Sequence, residues 1–434
     1  MVSHRVPNVQ LRALLAEAQW TGEQLAGAVN RIGAESGWRL AYRRASVHQW
    51  LTGTLPRSPA ADLVCVALSR RLRRPIALTD AGFDGPRPAL PPATDSGTLL
   101  VRLAEASVAP DRHGSLLAYQ PAALVPGPAE PVAPTGLVGA GGPAVRQDVL
   151  ALLLPVFSSV DRAHGGGRAR TALAAFLATT VAPMLAVPAH PSAVLRDAAR
   201  LCYLCAFMHL DDELNGLADQ YYRRALELAR QAGDTATQAM ALRAMAAQAY
   251  ELGRPDRSLR LARAAADCRL ASSPRLRAAV LGQLALSEAT AGERTAALRH
   301  LSEARELLTR VTGPPPAIGD YHRASWDHQS ALVQAELGDL TGAITHLKAS
   351  VARRPRGEQR SRAILLGKLA ERQLTAGHLE AACTTWHEFL DAYPLLTSRR
   401  AHTARTRLSR LLLPHRRRPA ADHLLQRAAA LRPR

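Results

Sequence analysis

The second half of the chain carries a repeated pattern of glycine and small residues that constrains its fold more than any other feature. Four turn glycines, separated by 39, 46 and 39 residues, are Gly253, Gly292, Gly338 and Gly377. The positions five and twelve residues after each glycine hold Ser258 and Ala265, Ala297 and Ala304, Ala343 and Ser350, and Ala382 and Phe389. A glycine that ends one helix, followed by a small residue that lets the next helix pack closely, predicts stacked pairs of α-helices. The fold class is therefore predicted to be all-α.

The spacing resembles the tetratricopeptide repeat, which has a period of about 34 residues. Because the glycines lie further apart than that, the helices or joints should be longer. Ala218 and Ala225 repeat the pattern once more, which gives five units. We expect a further helical pair at about 144–187 and a terminal helical segment at about 401–431. Residues 144–434 are thus predicted to form a tetratricopeptide-like α-solenoid, whose groove would bind a peptide, a protein segment or another copy of the chain.

The first 83 residues carry the pattern of a small helical domain. Apolar residues with helical spacing are Leu11, Leu14, Leu15 and Ala18, then Leu25, Ala28, Val29 and Ile32. Thr21 and Gln24 have the spacing of a capping box. In "RRASVHQWLTGTLPRSP", residues 43–59, we expect Ser46 to cap a helix and Gly53 to end it.

The polar face of this third helix predicts contact with DNA. Glutamine can pair with adenine and arginine with guanine in the major groove, whereas Arg57 and Arg70 could hold phosphates. The predicted DNA-binding residues are Arg43, Arg44, Ser46, His48, Gln49, Thr52 and Arg57. The structural alternative is that Trp50 is only a core residue and the arginines form a solvated face.

The stretches "EQLAGAVN" and "ASVHQWLTGTLPR" resemble the Cro/C1-type (XRE-like) helix-turn-helix in six residues, Leu25, Ala26, Ser46, Trp50, Gly53 and Pro56. One departure is the segment 33–44, since the turn of this motif normally has three or four residues. Along nearly its full length the chain resembles actinobacterial transcriptional regulators that combine this motif with C-terminal tetratricopeptide repeats. The resemblance implies a DNA-binding regulator.

The net charge of +19 is concentrated at the two ends. Residues 1–90 carry +6 and residues 399–434 carry +10, and arginine supplies nearly all of it because the chain has only two lysines, Lys348 and Lys368. Basic ends favour a polyanion partner, double-stranded DNA, although a compositional bias toward arginine is the alternative. The C-terminal basic segment fits a second nucleic-acid contact or a polar cap on the last repeat, and we favour the cap.

Other motifs predict no chemistry. Residues 84–143 are rich in proline and glycine and should form a linker. Gly165–Gly167 fit an anion-binding helix start or a tight turn, and we favour the turn. Cys202 and Cys205 have no second pair of ligands, so core packing is expected rather than zinc. "HLDDE", residues 209–213, is expected to be an inter-helix turn with capping acids. We predict no enzyme activity, no cofactor and no metal.

The sequence therefore predicts a DNA-binding transcriptional regulator whose repeats mediate dimerisation or sense a peptide or protein partner. The alternative is a tetratricopeptide-like interaction scaffold whose N-terminal helical domain does not bind DNA. We expect a homodimer, since one short helix reads few bases. The chain lacks an apolar run of membrane-spanning length and a hydrophobic signal core at its start, so we expect a cytoplasmic protein, associated with the nucleoid when bound to DNA.

Overall fold

The computed structural model describes residues 6–35, 38–57, 59–72, 74, 76–83, 96–108, 119, 144–186, 191–270 and 273–431. All regular secondary structure in these ranges is helical, which confirms the all-α prediction. The expected linker, 84–143, lies largely outside the described residues. None of the described helices is both long enough and apolar enough to cross a lipid bilayer.

The chain divides into two compact units. The first comprises residues 1–124, 174–186 and 213–221, and the second comprises 125–173, 187–212 and 222–434. The boundaries proposed from sequence, 83 and 143, stay a prediction.

Within the described residues, the N-terminal part of the first unit contains five helices. They are α1 (Val9–Glu17), α2 (Gly22–Glu35), α3 (Arg44–Leu51), α4 (Ala60–Leu72) and α5 (Ser96–Val108). The apolar positions that the periodicity predicted for α1 and α2 are buried, and they pack with Val47 and Trp50 of α3 and with Leu63 and Leu68 of α4 in one core. Burial of this apolar surface is what holds such short helices together.

Local hydrogen bonds set the ends of α2 and α3. The capping box is confirmed: the Thr21 amide donates to the side-chain oxygen of Gln24 (2.8 Å), and the Gln24 amide donates to the Thr21 hydroxyl (3.2 Å). Gly53 has φ of 98° and ends α3, as predicted. Its amide donates to the Trp50 carbonyl and the Thr54 amide donates to the Gln49 carbonyl, which is a Schellman ending.

Residues 38–43, in the long segment between α2 and α3, pack against the domain. Both side-chain amide atoms of Asn30 bond the main chain of Tyr42, at 2.8 and 2.9 Å. The Tyr42 ring meets the Trp50 ring edge-on, with centroids 5.1 Å apart. Leu40 lies so close to Gly33 that a Cβ there would be 2.5 Å from its side chain. Residues 38–43, in the segment that departs from the Cro/C1 turn, are therefore an ordered connection that fixes the start of α3.

The remainder of the chain forms helices in sequential pairs. After α6 (Ala144–His164) and a short 3₁₀ turn (Gly166–Arg168), the chain continues through α7 (Arg170–Phe176), a π-helical segment (Leu177–Val181) and α8 (Ala182–Leu185). The pairs that follow are α9 (Ser192–Asp211) with α10 (Asn215–Gln231), α11 (Thr235–Glu251) with α12 (Pro255–Ala266), α13 (Pro274–Thr290) with α14 (Arg294–Thr309), α15 (Arg323–Glu336) with α16 (Leu340–Arg353), α17 (Gln359–Thr375) with α18 (Leu379–Ala392), and α19 (Arg399–Leu412) with α20 (Pro419–Ala430). This succession is the predicted α-solenoid.

The glycine pattern has the structural meaning that the sequence predicted. Each repeat glycine lies in the turn inside a helix pair with φ between 66° and 85°. The small residues five and twelve positions later are fully buried or nearly so, as is Phe389. In the turn between α9 and α10 the equivalent position is Glu213, which adopts φ of 57° without being glycine.

The longer spacing of 46 residues comes from one joint. The joints after α12 and α16 are short, whereas the joint between α14 and α15 comprises residues 310–322. Within that joint, Gly319 has φ of 70°, and a Cβ there would lie 2.3 Å from the Met240 sulfur. The extra residues thus form an ordered loop against α11.

The basic C-terminal segment is a docked helical pair. Leu408 and Leu412 of α19 are completely buried, so this helix is docked on the repeats. Not all arginines of this segment face water: Arg400 pairs with Glu251, and Arg405 donates to the Ala428 carbonyl at 2.8 Å.

We predict that Gly338→Ala lowers the free energy of unfolding by about 1 kcal/mol, because a Cβ is disfavoured in the left-handed region. Nothing lies within 4 Å of the added Cβ, so backbone strain is the only cost. Urea denaturation of both proteins measures the difference. Gly357→Ala is the matched control, since this glycine also faces open space but lies outside the left-handed region. Equal effects of the two substitutions would contradict this account.

Candidate functional site

The predicted DNA-binding residues lie together at α3 and the turn that follows it. Arg43, Arg44, His48, Gln49 and Arg57 are exposed, while Val47 and Trp50 face the core. The first turn of α3 contains no acidic residue. The structure therefore presents one polar and cationic face of α3 to solvent, as the sequence of residues 43–59 suggested.

Ser46 and Thr52 are half-buried and bond the main chain of α3. The sequence predicted Ser46 as the N-cap, but the helix begins at Arg44 and Ser46 is its third residue. The Ser46 hydroxyl accepts a hydrogen bond from the Arg43 amide at 3.3 Å. The Thr52 hydroxyl reaches the carbonyls of His48 and Gln49, at 3.1 and 3.0 Å. Both hydroxyls thus stabilise the ends of the helix, a role that their place in the motif did not reveal.

Arg70 was expected to hold phosphate and does not lie free for it. Its guanidinium forms a 2.7 Å ion pair with Glu35, and both side chains are largely buried. It also donates to the Tyr119 carbonyl. Arg70 therefore anchors α4 to the end of α2.

The second unit contains a cavity of about 280 Å³. We call it the inner cavity. Its wall comes mainly from the first helices of successive pairs, α9, α11, α13, α15 and α17, with α6 and the loop 310–322 closing one side. Its aromatic and amide lining consists of Tyr203, Phe207, Tyr222, Tyr250, Tyr321, Gln283 and Gln329. The cavity is therefore built from the face that a repeat array turns to its ligands.

The loop 310–322 is held in the cavity wall by α6. The Ser158 hydroxyl donates to the Ala317 carbonyl at 2.5 Å, and the Arg162 guanidinium donates to the same oxygen at 3.2 Å. Next to it, the side-chain amide of Gln329 donates to Gln283 at 3.1 Å. These contacts fix the position of one wall of the inner cavity.

Every acidic side chain in the cavity wall has a basic partner. Asp320 pairs with Arg275 at 2.6 Å, Glu251 pairs with Arg400, and Asp161 lies 3.3 Å from Arg360. The fourth acid, Glu358, accepts from His322 at 3.0 Å and from Arg354 at 2.9 Å. Burial alone would raise the pKa of Glu358, but these two hydrogen bonds hold it at about 2.

Three of these residues are close enough to share a metal ion, namely Asp320, His322 and Glu358. Arg275 and Arg354 already neutralise the two carboxylates. The chemistry of this group is therefore that of an ion-pair network joining the loop 310–322 to the start of α17.

Basic and neutral polar groups also line the inner cavity. Burial raises the pKa values of Tyr203, Tyr222 and Tyr321, and the positive charge of Arg243 partly opposes this shift. The Arg243 guanidinium lies 5.8 Å from the centroid of the Tyr321 ring. Burial lowers the pKa of His328 well below 6.5, and the nearby Lys368 lowers it further. At neutral pH His328 is therefore uncharged.

Residues 165–167 form the tight turn that the sequence favoured. The turn also binds an anion, which is the carboxylate of Asp211 in the same chain. The Gly166 amide donates to the Asp211 carboxylate at 2.9 Å, and the Gly167 amide donates to the Thr397 carbonyl at 3.0 Å. A Cβ on Gly166 would lie 2.3 Å from the Met208 carbonyl oxygen. Only glycine permits this approach.

The sequence suggested that the acidic residues of "HLDDE" cap an inter-helix turn, but two of them have other partners. Asp211 accepts from the glycine turn and lies 3.6 Å from Arg360, while Asp212 accepts from Arg170 at 2.6 Å. The turn itself is confirmed, because α9 ends at Asp211. Cys202 and Cys205 are fully buried in α9, as core packing predicted.

The buried pair Asp161 and Asp211 shares the single guanidinium of Arg360. All three side chains are at least 95% buried, and the Arg360 guanidinium also stacks on the Phe207 ring at 4.6 Å. Burial, opposed by Arg360 and reinforced by Asp211, raises the pKa of Asp161 to about 6. This network ties α6 to α9 and α17.

Sequence reasoning missed the inner cavity and its residues. The available signal was a set of polar residues in otherwise apolar helices, for example Arg243, Gln283 and His328. Helical periodicity shows that such residues share a face with buried ones, but it does not show that five helices bring them together.

Comparison with known proteins gives limited matches. Residues 11–84 match the family described as SP15 N-terminal domain. No curated protein matches the chain in sequence. Among solved structures, the chain is similar to the crystal structure of a Rap protein complexed with Competence and Sporulation Factor, with 16% identity over 66% of this chain and 84% of that chain, and a TM-score of 0.44.

We predict that Asp161→Asn changes how stability depends on pH. Because the folded-state pKa of Asp161 is raised, its contribution is present at low pH and is lost as pH rises through about 6. The stability of the wild type relative to the variant should therefore fall by about 1 kcal/mol between roughly pH 5 and pH 8. Urea denaturation of both proteins at the two pH values measures this difference. A constant difference across that range would contradict the raised pKa.

Proposed function

We propose that the chain is a non-enzymatic helical-repeat binding protein whose inner cavity takes a peptide or protein segment. The observation that carries this proposal is the cavity itself, which is walled by successive repeats and lined with hydrogen-bonding side chains. A peptide in an extended conformation needs partners for its N–H and C=O groups. Amide and phenol side chains on adjacent helices supply donors and acceptors at fixed positions.

The volume of the inner cavity indicates how many residues of a peptide ligand it can hold. Ligand pockets for drug-sized molecules range from about 300 Å³ upward, so a cavity of about 280 Å³ holds one or two residues of a peptide. The rest of the peptide would lie along the neighbouring first helices. Specificity would then depend on the residues that enter the cavity.

We expect Ala247→Arg to abolish this binding. Ala247 lies in the cavity wall, and an arginine there would fill much of the space with a charged side chain. Affinity selection from a random hexapeptide library, read by mass spectrometry, should recover peptides with the wild type and at least about 10-fold less with the variant, a difference of about 1.4 kcal/mol.

Ala381→Arg, at an exposed alanine of α18, is the matched control and should select the same peptides as the wild type. Equal selection by the two arginine variants, or no selection by the wild type, would overturn the proposed use of the cavity.

The exposed face of α3 favours a second function, which is DNA binding. Together with ligand binding in the inner cavity, DNA binding would make the chain a transcriptional regulator. The face carries Arg44, His48 and Gln49, flanked by Arg43 and Arg57. Such side chains match base edges and phosphates of double-stranded DNA. We propose that the N-terminal helices bind DNA and that the chain acts as a cytoplasmic homodimer, because paired half-sites extend the sequence that is read. The competing role is an interaction scaffold without DNA binding.

Substitutions in α3 should separate base reading from phosphate contact. Gln49→Ala should relax sequence preference, and Arg57→Ala should weaken binding to all DNA about evenly. Arg74→Ala is the control, because Arg74 is exposed but already paired with Glu17 at 2.6 Å. Genomic fragments selected by the wild type and titrated with salt give the measurement, since phosphate contacts make affinity fall steeply with salt.

The scaffold role would be favoured if the wild type selected no fragment at any salt concentration. A double substitution of Arg44 and Gln49 that left the affinity for selected fragments unchanged would disprove the assignment of α3 as the recognition helix.

A further inference from the structure

The wall of the inner cavity carries an excess of positive charge. Among the described residues of the wall, six basic side chains accompany four acidic ones: Arg162, Arg243, Arg354, Arg360, Lys368 and Arg400 against Asp161, Glu251, Asp320 and Glu358. Since each acid is already paired, the excess remains on side chains without an acidic hydrogen-bond partner. Among the described residues, Arg243 donates only to the Ala279 carbonyl, and Lys368 makes no hydrogen bond or ion pair.

Neutral polar atoms without partners lie beside these cations. Among the described residues, the hydroxyls of Tyr222 and Tyr321 and the Nε2 atom of His328 are buried and have no hydrogen-bond partner. The two tyrosines are no more than 2% exposed. Buried polar groups are nearly always satisfied, so such a group in a cavity wall indicates a missing water or ligand.

We propose that the inner cavity is an anion-binding subsite, which takes a compact ligand carrying a carboxylate or phosphate group. The anion lies against Lys368, Arg243 and His328, and an apolar part of the ligand lies on the tyrosine rings. This inference rests on the proposed use of the cavity for ligands and names the chemistry that the cavity selects.

Three features favour an anion over a neutral ligand or a cation. The excess of two positive charges in the wall is offset by an anion and would repel a cation. The uncharged His328 can donate one hydrogen bond through Nε2, and phenol groups donate as well. Burial lowers the pKa of Lys368, and a bound anion would favour its charged form.

The anion has two sources that share this chemistry, a free organic acid or phosphate and an acidic group of a peptide. The chain offers an internal reference to test both, because its only lysines are Lys368 and Lys348. Lys348 is exposed on α16. Acetylation of the full-length protein by an amine-reactive ester, followed by peptide mass spectrometry, reports the reactivity of each lysine separately.

We expect anionic probes to protect Lys368 at least 5-fold and to leave the acetylation of Lys348 unchanged. The probes are succinate, inorganic phosphate and an acidic hexapeptide library, each at about 10 mM, above the roughly 1 mM dissociation constant of a weak ligand. Succinamide, the neutral analogue of succinate, should give no protection. Lys368→Met should weaken binding of the protecting probe at least 10-fold by titration calorimetry, and Lys348→Met should not.

Each outcome has a defined meaning. Protection by succinate or phosphate supports a free anion, and protection by the peptides alone supports an acidic peptide. Equal protection by succinamide, or no protection by any probe, overturns the inference and leaves ordered water as the partner of the buried groups. If neutral hexapeptides still bind and Ala247→Arg abolishes that binding, the proposed function stands and only the anion subsite fails.

Discussion

The close approach of paired helices is the constraint on which the second unit depends. The side chains five and twelve residues after each turn are buried, and all but one are no larger than serine. They therefore allow two helix backbones to pack with little space between them. The turn before them must reverse the chain within a few residues, which requires a left-handed backbone conformation. Glycine provides it in four turns, and Glu213 provides it in another. Since each pair packs on the next, a defect in one turn shifts the helices that line the cavity.

A second constraint is the handling of buried charge. Asp161, Asp211 and Arg360 lie together in the interior, where a charge without a partner would be strongly destabilising. The glycine turn at 165–167 donates one amide to this network and a second amide to the Thr397 carbonyl in the joint before α19. The network thus joins α6, near the start of the unit, to helices near its end.

The N-terminal helices solve a different problem. The connection between α2 and α3 is long, and a loose connection would leave α3 free to change its orientation. Asn30 and Tyr42 prevent this through two hydrogen bonds and a ring contact with Trp50. The exposed residues of α3 therefore lie on a helix whose start is fixed by the core of the domain.

The sequence alone determined the features that depend on local spacing. These are the helical class, the apolar faces of α1 and α2, the capping box, the turn glycines and the small residues that follow them, because each reflects contacts between residues a few positions apart. Tertiary structure decided the rest. The partnership of Arg70 with Glu35, the use of Asp211 by the glycine turn, and the meeting of Arg243, His328 and Lys368 at one cavity all join residues far apart in the chain. Periodicity indicates which face of a helix is buried, but only the packing of several helices decides which polar groups share the space between them.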